Sequence, residues 1–456
     1  MMKKQNRREF LRDSIAIGAG ASVFGGLAGA GHLAQAADGD NDRYYVFCYF
    51  SGGWDVLLSL DPRDPAVFTD DGIRDHRIQP AYDLADGSDG FVVRPRPESD
   101  LEFGPFIGDL AEYWDRMAVV RGMSMETLAH QVGRRRFLTG KAPSGLNARG
   151  SSMGTWLSAN TPGEQPIPQL SVGVETYNQT SLPSYANALR VSDAGGLVTM
   201  LQLANPALSE AQHNGVVSLL QQEADCDRAR RSVMLRDWSA ARERAQLVAD
   251  SELYSYFQIG DDTEEMAELR ARYGLTNGNQ RNAAARCAIA AQALLKGVSR
   301  CVSLNAAGGL DTHFQNWRTD QGNRQREGFN AITALADHLQ SVQYKETGRS
   351  WLDVTTIVGF SEFSRTPLLN QSGGRDHHIT NSCFLLGGNI QGNMAIGASS
   401  DVGMNAQTVN LSTGRVDPGG EIIRPEHVLR TLYVDAGIEE DAADLRVEPI
   451  TALLRS

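Results

Sequence analysis

Four short polar stretches hold the side chains best suited to chemistry. They are Gly52-Gly53-Trp54-Asp55, Gly308-Gly309-Leu310-Asp311-Thr312-His313, Ser361-Glu362-Phe363-Ser364-Arg365-Thr366 and Gly373-Gly374-Arg375-Asp376-His377-His378. Three of the four open on a glycine pair, which lets the backbone turn sharply and present a carboxylate. Carboxylates and imidazoles without thiolates suit zinc, manganese or iron. Each stretch alone is a weak signal, because Asp-x-His arises by chance and an aspartate after a strand is commonly a helix cap. Their repetition points to a metal site.

A further candidate is His130, which precedes Thr139-Gly140. Ser124 and Thr127 nearby read as helix caps before nucleophiles. Arg134, Arg135 and Arg136 follow on the same expected helix, where one could face an anionic substrate or all three could form a solvated face. His76, His213, His338 and His427 stand in helical or loop contexts without a carboxylate motif and read as structural.

The elements that must position these residues are apolar runs. Tyr44 to Phe50, Met117 to Met123, Val298 to Ala306 and Asp353 to Phe360 read as buried strands, and Cys383 to Leu386 as a short fifth. Helical patterns lie between them, as at Arg281 to Lys296 and Arg326 to Gln343. This alternation predicts an α/β domain with a mostly parallel central sheet. Ligands collect at the carboxyl ends of parallel strands. Three of the polar stretches directly follow an expected strand, and the fourth lies just before the fifth strand, so they can converge there. Residues from about 197 to 272 are charged and helical, and read as a helical insertion on the core.

The 456 residues carry 43 Lys+Arg against 55 Asp+Glu, a net charge of −12, which argues against a general nucleic-acid binder. No stretch approaches the roughly 18 apolar residues of a bilayer span, so no stable membrane anchor is expected. Lys3, Lys4, Arg7 and Arg8 precede a Gly/Ala-rich stretch that closes on Ala34-Gln35-Ala36. A basic start, a weakly hydrophobic middle and an Ala-x-Ala end describe a twin-arginine signal peptide over residues 1–36. The translocase of that pathway is then a partner, and the mature domain, residues 37–456, is periplasmic or extracellular. Five scattered cysteines (Cys48, Cys226, Cys287, Cys301, Cys383) give neither a disulfide framework nor a metal motif.

The ordered set of twin-arginine signal, Gly-Gly-x-Asp after the first strand, His130 before Thr139-Gly140, Gly-Gly-Leu-Asp-Thr-His, Ser-Glu-Phe-Ser-Arg-Thr and Gly-Gly-Arg-Asp-His resembles the bacterial family named domain of unknown function 1501. That family resembles a branch of the alkaline phosphatase and sulfatase superfamily. The resemblance implies a three-layer sandwich with a mostly parallel central sheet, and a cluster of one or two divalent ions at its carboxyl edge. Zinc is the first expectation, with manganese or calcium as alternatives. By position, Asp55 matches the first metal ligand, and Asp311 and His313 a central ligand pair. Glu362 falls where the superfamily has Asp-His, but Phe363 follows it, so one nitrogen ligand is missing. Asp376, His377 and His378 resemble the last ligand group. His130 falls where a nucleophile stands, and as ligand, general acid or phosphohistidine-type nucleophile its role stays open. Arg365 or Arg375 would pair with ester oxygens.

The implied activity is metal-dependent hydrolysis of a phosphate or sulfate ester, on a small molecule or a polymer. The alternative is a non-catalytic exported binding or scaffold protein with the same fold, favoured by the departures at Phe363 and His130.

Overall fold

All seven residues of β1 (Tyr44–Phe50) are buried, because the strand packs apolar side chains on both of its faces. Tyr44, Val46, Cys48 and Phe50 enter one core, and Tyr45, Phe47 and Tyr49 enter the other, the period-two alternation of a strand. The structure, a computed structural model, describes residues 42–90, 96–160, 165–179, 182–202, 208–224, 251–277, 279–438 and 441–455, together with 232, 235 and 248. The expected signal peptide, Cys226 and nearly all of the Arg-rich stretch 228–249 lie outside the described residues.

The further strands that build the sheet and the site are β2 (Met117–Ser124), β3 (Gln169–Val172), β4 (Leu189–Val191), β5 (Cys301–Ala307), β6 (Thr355–Phe360), β7 (Ser364–Arg365), β8 (His377–His378), β9 (Thr380–Gly387) and β10 (Met394–Ile396). Eight strands form one sheet in the order β10-β2-β9-β6-β1-β5-β3-β4. Every neighbouring pair is parallel except those made by β9, which runs against both β2 and β6. The chain is therefore a mixed α/β protein with a large, mostly parallel sheet, as the alternation of runs predicts.

Helices cover both faces. Ala283–Leu295 and Gly322–Ser341 pack on the core that holds Phe50. His130–Thr139, Met153–Asn160 and Pro425–Asp435 pack on the core that holds Tyr49. The stretch between β4 and β5 is helical where described, at Ala194–Gln202, Glu210–Ala224 and Glu264–Arg272. Leu197 and Leu201 of the first of these helices and Met266 and Leu269 of the last enter the first core. Among the described residues no helix is long and apolar enough to cross a membrane. Cys48, Cys287, Cys301 and Cys383 are buried free thiols.

The reversed direction of β9 matters for the site. The parallel strands β1, β2, β5 and β6 deliver Ser51, the loop to His130, Gly308 and Ser361 at their carboxyl ends. An antiparallel strand begins at that same edge, so the stretch before β9 arrives there too.

Candidate metal centre

Close approach of loops at this edge depends on glycine, which has no side chain to clash. Gly52 has φ +113°, and a Cβ there would sit 2.6 Å from the Asp311 amide nitrogen. At Gly133, one turn into the His130–Thr139 helix, a Cβ would sit 2.2 Å from the Glu362 carbonyl oxygen. The loop after β1 thus touches the loop of Asp311, and the helix bearing His130 lies directly on Glu362. A two-residue ribbon, β7 against β8, pairs Arg365 with His377 and ties the third stretch to the fourth.

These contacts gather three imidazoles around one carboxylate. His377 Nδ1 faces the Leu128 carbonyl at 2.6 Å. A carbonyl only accepts, so the proton is on Nδ1 and the Nε2 lone pair is turned inward. His313 Nδ1 faces Asp376 Oδ1 at 2.7 Å, and His130 Nδ1 faces Glu362 Oε1 at 2.8 Å. Each ring is thereby anchored by its outer nitrogen, as metal-bound histidines usually are. The inner Nε2 atoms of His130, His313 and His377 lie 3.3, 3.0 and 3.3 Å from Asp311 Oδ1. His130, Asp311 and His377 present ligand atoms within 4.8 Å of one another, a possible metal site of three residues.

The donor chemistry fits a cation. His313 Nε2 and His377 Nε2 are 2.9 Å apart, two lone pairs head to head that require positive charge between or beside them. Arg365 Nη1, 3.3 Å from His313 Nε2, answers part of that need. Arg365 also donates to Asp311 Oδ1 at 2.6 Å and to the carbonyls of Gly52 and Gly53. Burial alone would raise the Asp311 carboxyl, but Arg365 and the imidazoles outweigh it and hold it down to about 2. Burial likewise opposes ionisation of Glu362, yet its hydrogen bonds, led by that from His130, keep it below the usual carboxylate range. His377 is pushed down, first by burial and then by Arg365, which favours its neutral, ligating form.

A family profile described as "Protein of unknown function (DUF1501)" matches residues 43–414, most of the chain and all of the stretches above. The chain belongs to that family. Among curated proteins no relative matches this DUF1501 protein. Among solved structures it is similar to one titled "Crystal structure of Ps i-CgsB in complex with k-i-k-neocarrahexaose", at 8% identity and a TM-score of 0.38, covering 89% of this chain and 75% of that one.

Not every residue expected at the site in this DUF1501 protein reaches it. Asp55 is fully buried and turned inward, where Oδ1 caps the turn Val56–Leu58 through the Leu57 amide. Its Oδ2 accepts from Trp317 Nε1 at 2.8 Å and pairs with Arg375 Nε at 3.1 Å. The helix-cap reading of an aspartate after a strand is the one that applies here. Arg375 is equally buried, so it closes the Asp55 pair instead of facing an ester. Arg365, with no exposed side-chain surface, holds Asp311 and the loop carbonyls. His378 alternates to the far side of β8 from His377, and its Nδ1 lies 3.3 Å from the Thr380 carbonyl. Asp376 and Glu362 stand behind the rings and orient them. Phe363 packs on the rings of His130 and His377, with centroids 4.7 and 4.2 Å away. Thr312 is buried and donates to Gln321 Oε1 at 2.9 Å, away from the cluster.

Sequence reasoning passed over the Leu128 carbonyl, which no side-chain pattern can reveal. It also passed over Gly133, whose signal was available as a glycine inside a helical pattern.

Proposed function

We propose that this chain is an exported, metal-dependent hydrolase of phosphate or sulfate esters on an alkaline phosphatase-like fold. The observation that carries the reading is the convergence of three outward-anchored imidazoles on Asp311. His130, Asp311 and His377 would hold a divalent ion, with His313 as a fourth donor once Arg365 yields its lone pair. A nitrogen-rich donor set suits zinc, then manganese, and matches calcium poorly. Phe363 in place of a nitrogen donor favours one ion over two. A bound ion there supplies Lewis acidity toward an ester oxygen.

The protein's own groups supply order and access. Glu362, Asp376 and the Leu128 carbonyl fix the three rings, and Arg365 holds the Asp311 carboxylate in place. Asp311 keeps about half of its side-chain surface exposed, so the cluster opens to solvent and to a substrate. With its outer nitrogen committed to Glu362 and its inner one aimed at Asp311, His130 is better placed as a ligand than as a nucleophile.

A second reading, a binding protein without turnover, is favoured by a specific observation. Among the described residues no serine, threonine or cysteine side chain hydrogen-bonds to the four clustered residues. Metal analysis of the purified protein followed by a panel of aryl phosphates and sulfates tests both. About one equivalent of metal with hydrolysis of one ester class is expected; metal without turnover supports the binding protein, and no metal after equilibration with zinc or manganese overturns the hydrolase. Export by the twin-arginine translocase is tested separately: Arg7→Lys with Arg8→Lys should leave the precursor uncleaved in the cytoplasm, and normal processing would sink that reading.

A further inference from the structure

Beside the cluster, at the same edge of the sheet, lies a cavity of about 640 Å³ lined by Tyr49, Ser51, Arg134, Glu175, Arg190 and Asn305 among others. Two links tie its walls to the candidate metal centre. Arg134 stands four residues after His130 on one helix, so the two side chains share a face. Ser51 precedes Gly52, whose amide donates to Glu362, the carboxylate that holds His130.

Its chemistry favours an anion. The one carboxylate in this wall, Glu175, is neutralised by Arg134 at 2.7 Å and flanked by Arg135 at 3.4 Å. Arg190, exposed on β4, makes no ion pair among the described residues and leaves the cavity with an excess positive charge. This excess stands out in a chain of net charge −12. Tyr49 is 2% exposed, and its hydroxyl, beside Ser51 and Arg134, makes no well-formed hydrogen bond among the described residues. A buried hydroxyl without one costs stability that an incoming acceptor would recover. Arg134 lies over the Tyr49 ring at 6.0 Å, so the hydroxyl and the guanidinium border the same space.

We infer that this cavity is a second anion subsite, taking a sulfate, phosphate or carboxylate group that the substrate carries apart from the ester reaching the His–Asp cluster. Arg190 supplies the uncompensated charge, Tyr49 a directed donor, and Arg134 the link to the helix of His130. The arginines expected to clamp an ester, Arg365 and Arg375, are both engaged inside the protein. The subsite thus gives the chain a means of gripping an anionic substrate. The inference rests on the hydrolase reading of the neighbouring cluster.

The test is calorimetric titration of the protein as purified with inorganic sulfate and with glucose 6-sulfate. Arg190→Gln, Tyr49→Phe and His377→Ala variants run beside the wild type. One saturable site is expected, weakened about tenfold or more in Arg190→Gln, less in Tyr49→Phe, and unchanged in His377→Ala. Tighter binding of glucose 6-sulfate than of sulfate is expected of a subsite for a substrate-borne group, whereas equal affinity would overturn that role. Sulfate binding lost in His377→Ala and kept in Arg190→Gln would place the anion at the metal centre and overturn the subsite. So would the absence of saturable binding in the wild type, with the metal reading left standing. Intact sulfate binding in a protein that takes up no metal would sink the hydrolase reading instead.

Discussion

Gly52-Gly53-Trp54-Asp55 and Gly308-Gly309-Leu310-Asp311 share a pattern, a glycine pair and an aspartate just after a parallel strand, yet the two carboxylates live in opposite worlds. Asp55 has no exposed side-chain surface, and Asp311 is 48% exposed. The next residues along the chain set the two apart. Val56, Leu57 and Leu58 are all buried, and their turn drags Asp55 inward, where a tryptophan N–H and Arg375 meet it. Thr312-His313 instead keeps Asp311 at the rim, where imidazoles can gather. The same local signature makes a sealed structural pair in one place and an open carboxylate ringed by imidazoles in the other, so the surrounding apolar pattern reports the role better than the motif does.

The comparison breaks or holds first on metal and stability measured together. His377→Ala should weaken metal binding by more than the roughly 100-fold typical of losing an orienting partner, with little change in folded fraction, as read by metal analysis and thermal melting. Asp55→Ala should do the reverse. It leaves Arg375 buried without its partner, and should cost about 3–5 kcal/mol of stability with unchanged metal per folded molecule. Metal loss in the Asp55 variant at full stability would return Asp55 to the ligand set.

Smaller effects sharpen the picture. Asp376→Asn removes the charge that holds the outer nitrogen of His313, and Glu362→Gln likewise weakens the hold on His130. Each should lower metal affinity by about 10–100-fold, with Glu362→Gln the larger, since its partner belongs to the three-residue group. Gly133→Ala forces a Cβ to within 2.2 Å of the Glu362 carbonyl. The helix must shift, at a cost of about 1–3 kcal/mol, and His130 moves with it. Unchanged metal affinity in that variant would show that the helix start can give way without carrying His130 along.

Much of the fold was legible because the central strands are long, continuous apolar runs. Tyr44 to Phe50 and Asp353 to Phe360 read directly as strands, with ends within a few residues of β1 and β6. β3, β4 and β10 have only four, three and three residues, too short for a run to stand out. The reversed direction of β9 has no local signature either, although it is what brings His377 to the site. Of the site, Asp311, His313, His377, His130 and Glu362 were visible as residue types. Their ranks were not. Whether a carboxylate faces the cluster, orients a ring or seals an ion pair depends on which loop crosses it, and Asp311, Glu362 and Asp55 divide on that alone.

The smallest expected effect concerns a histidine outside the cluster. His338, near the end of the Gly322–Ser341 helix, lies 3.2 Å through Nδ1 from the Tyr273 hydroxyl and has no carboxylate partner among the described residues. Burial, then the charges of Arg272 and Lys296, push it down to about 4 from the ordinary 6.5. The unfolded chain therefore takes up a proton below pH 6.5 that the folded chain refuses until about pH 4. Stability is full above 6.5 and falls progressively across that window as pH is lowered. The half-buried ring is partly screened by solvent, so the loss is discounted to about 1–2 kcal/mol. His338→Gln, which keeps a polar partner for Tyr273 and cannot charge, should flatten this part of the stability–pH curve and leave metal content untouched. A curve as steep as the wild type's would mean that the acid sensitivity arises elsewhere; lost metal would mean that a ring without an anchoring carboxylate or carbonyl matters to the site after all.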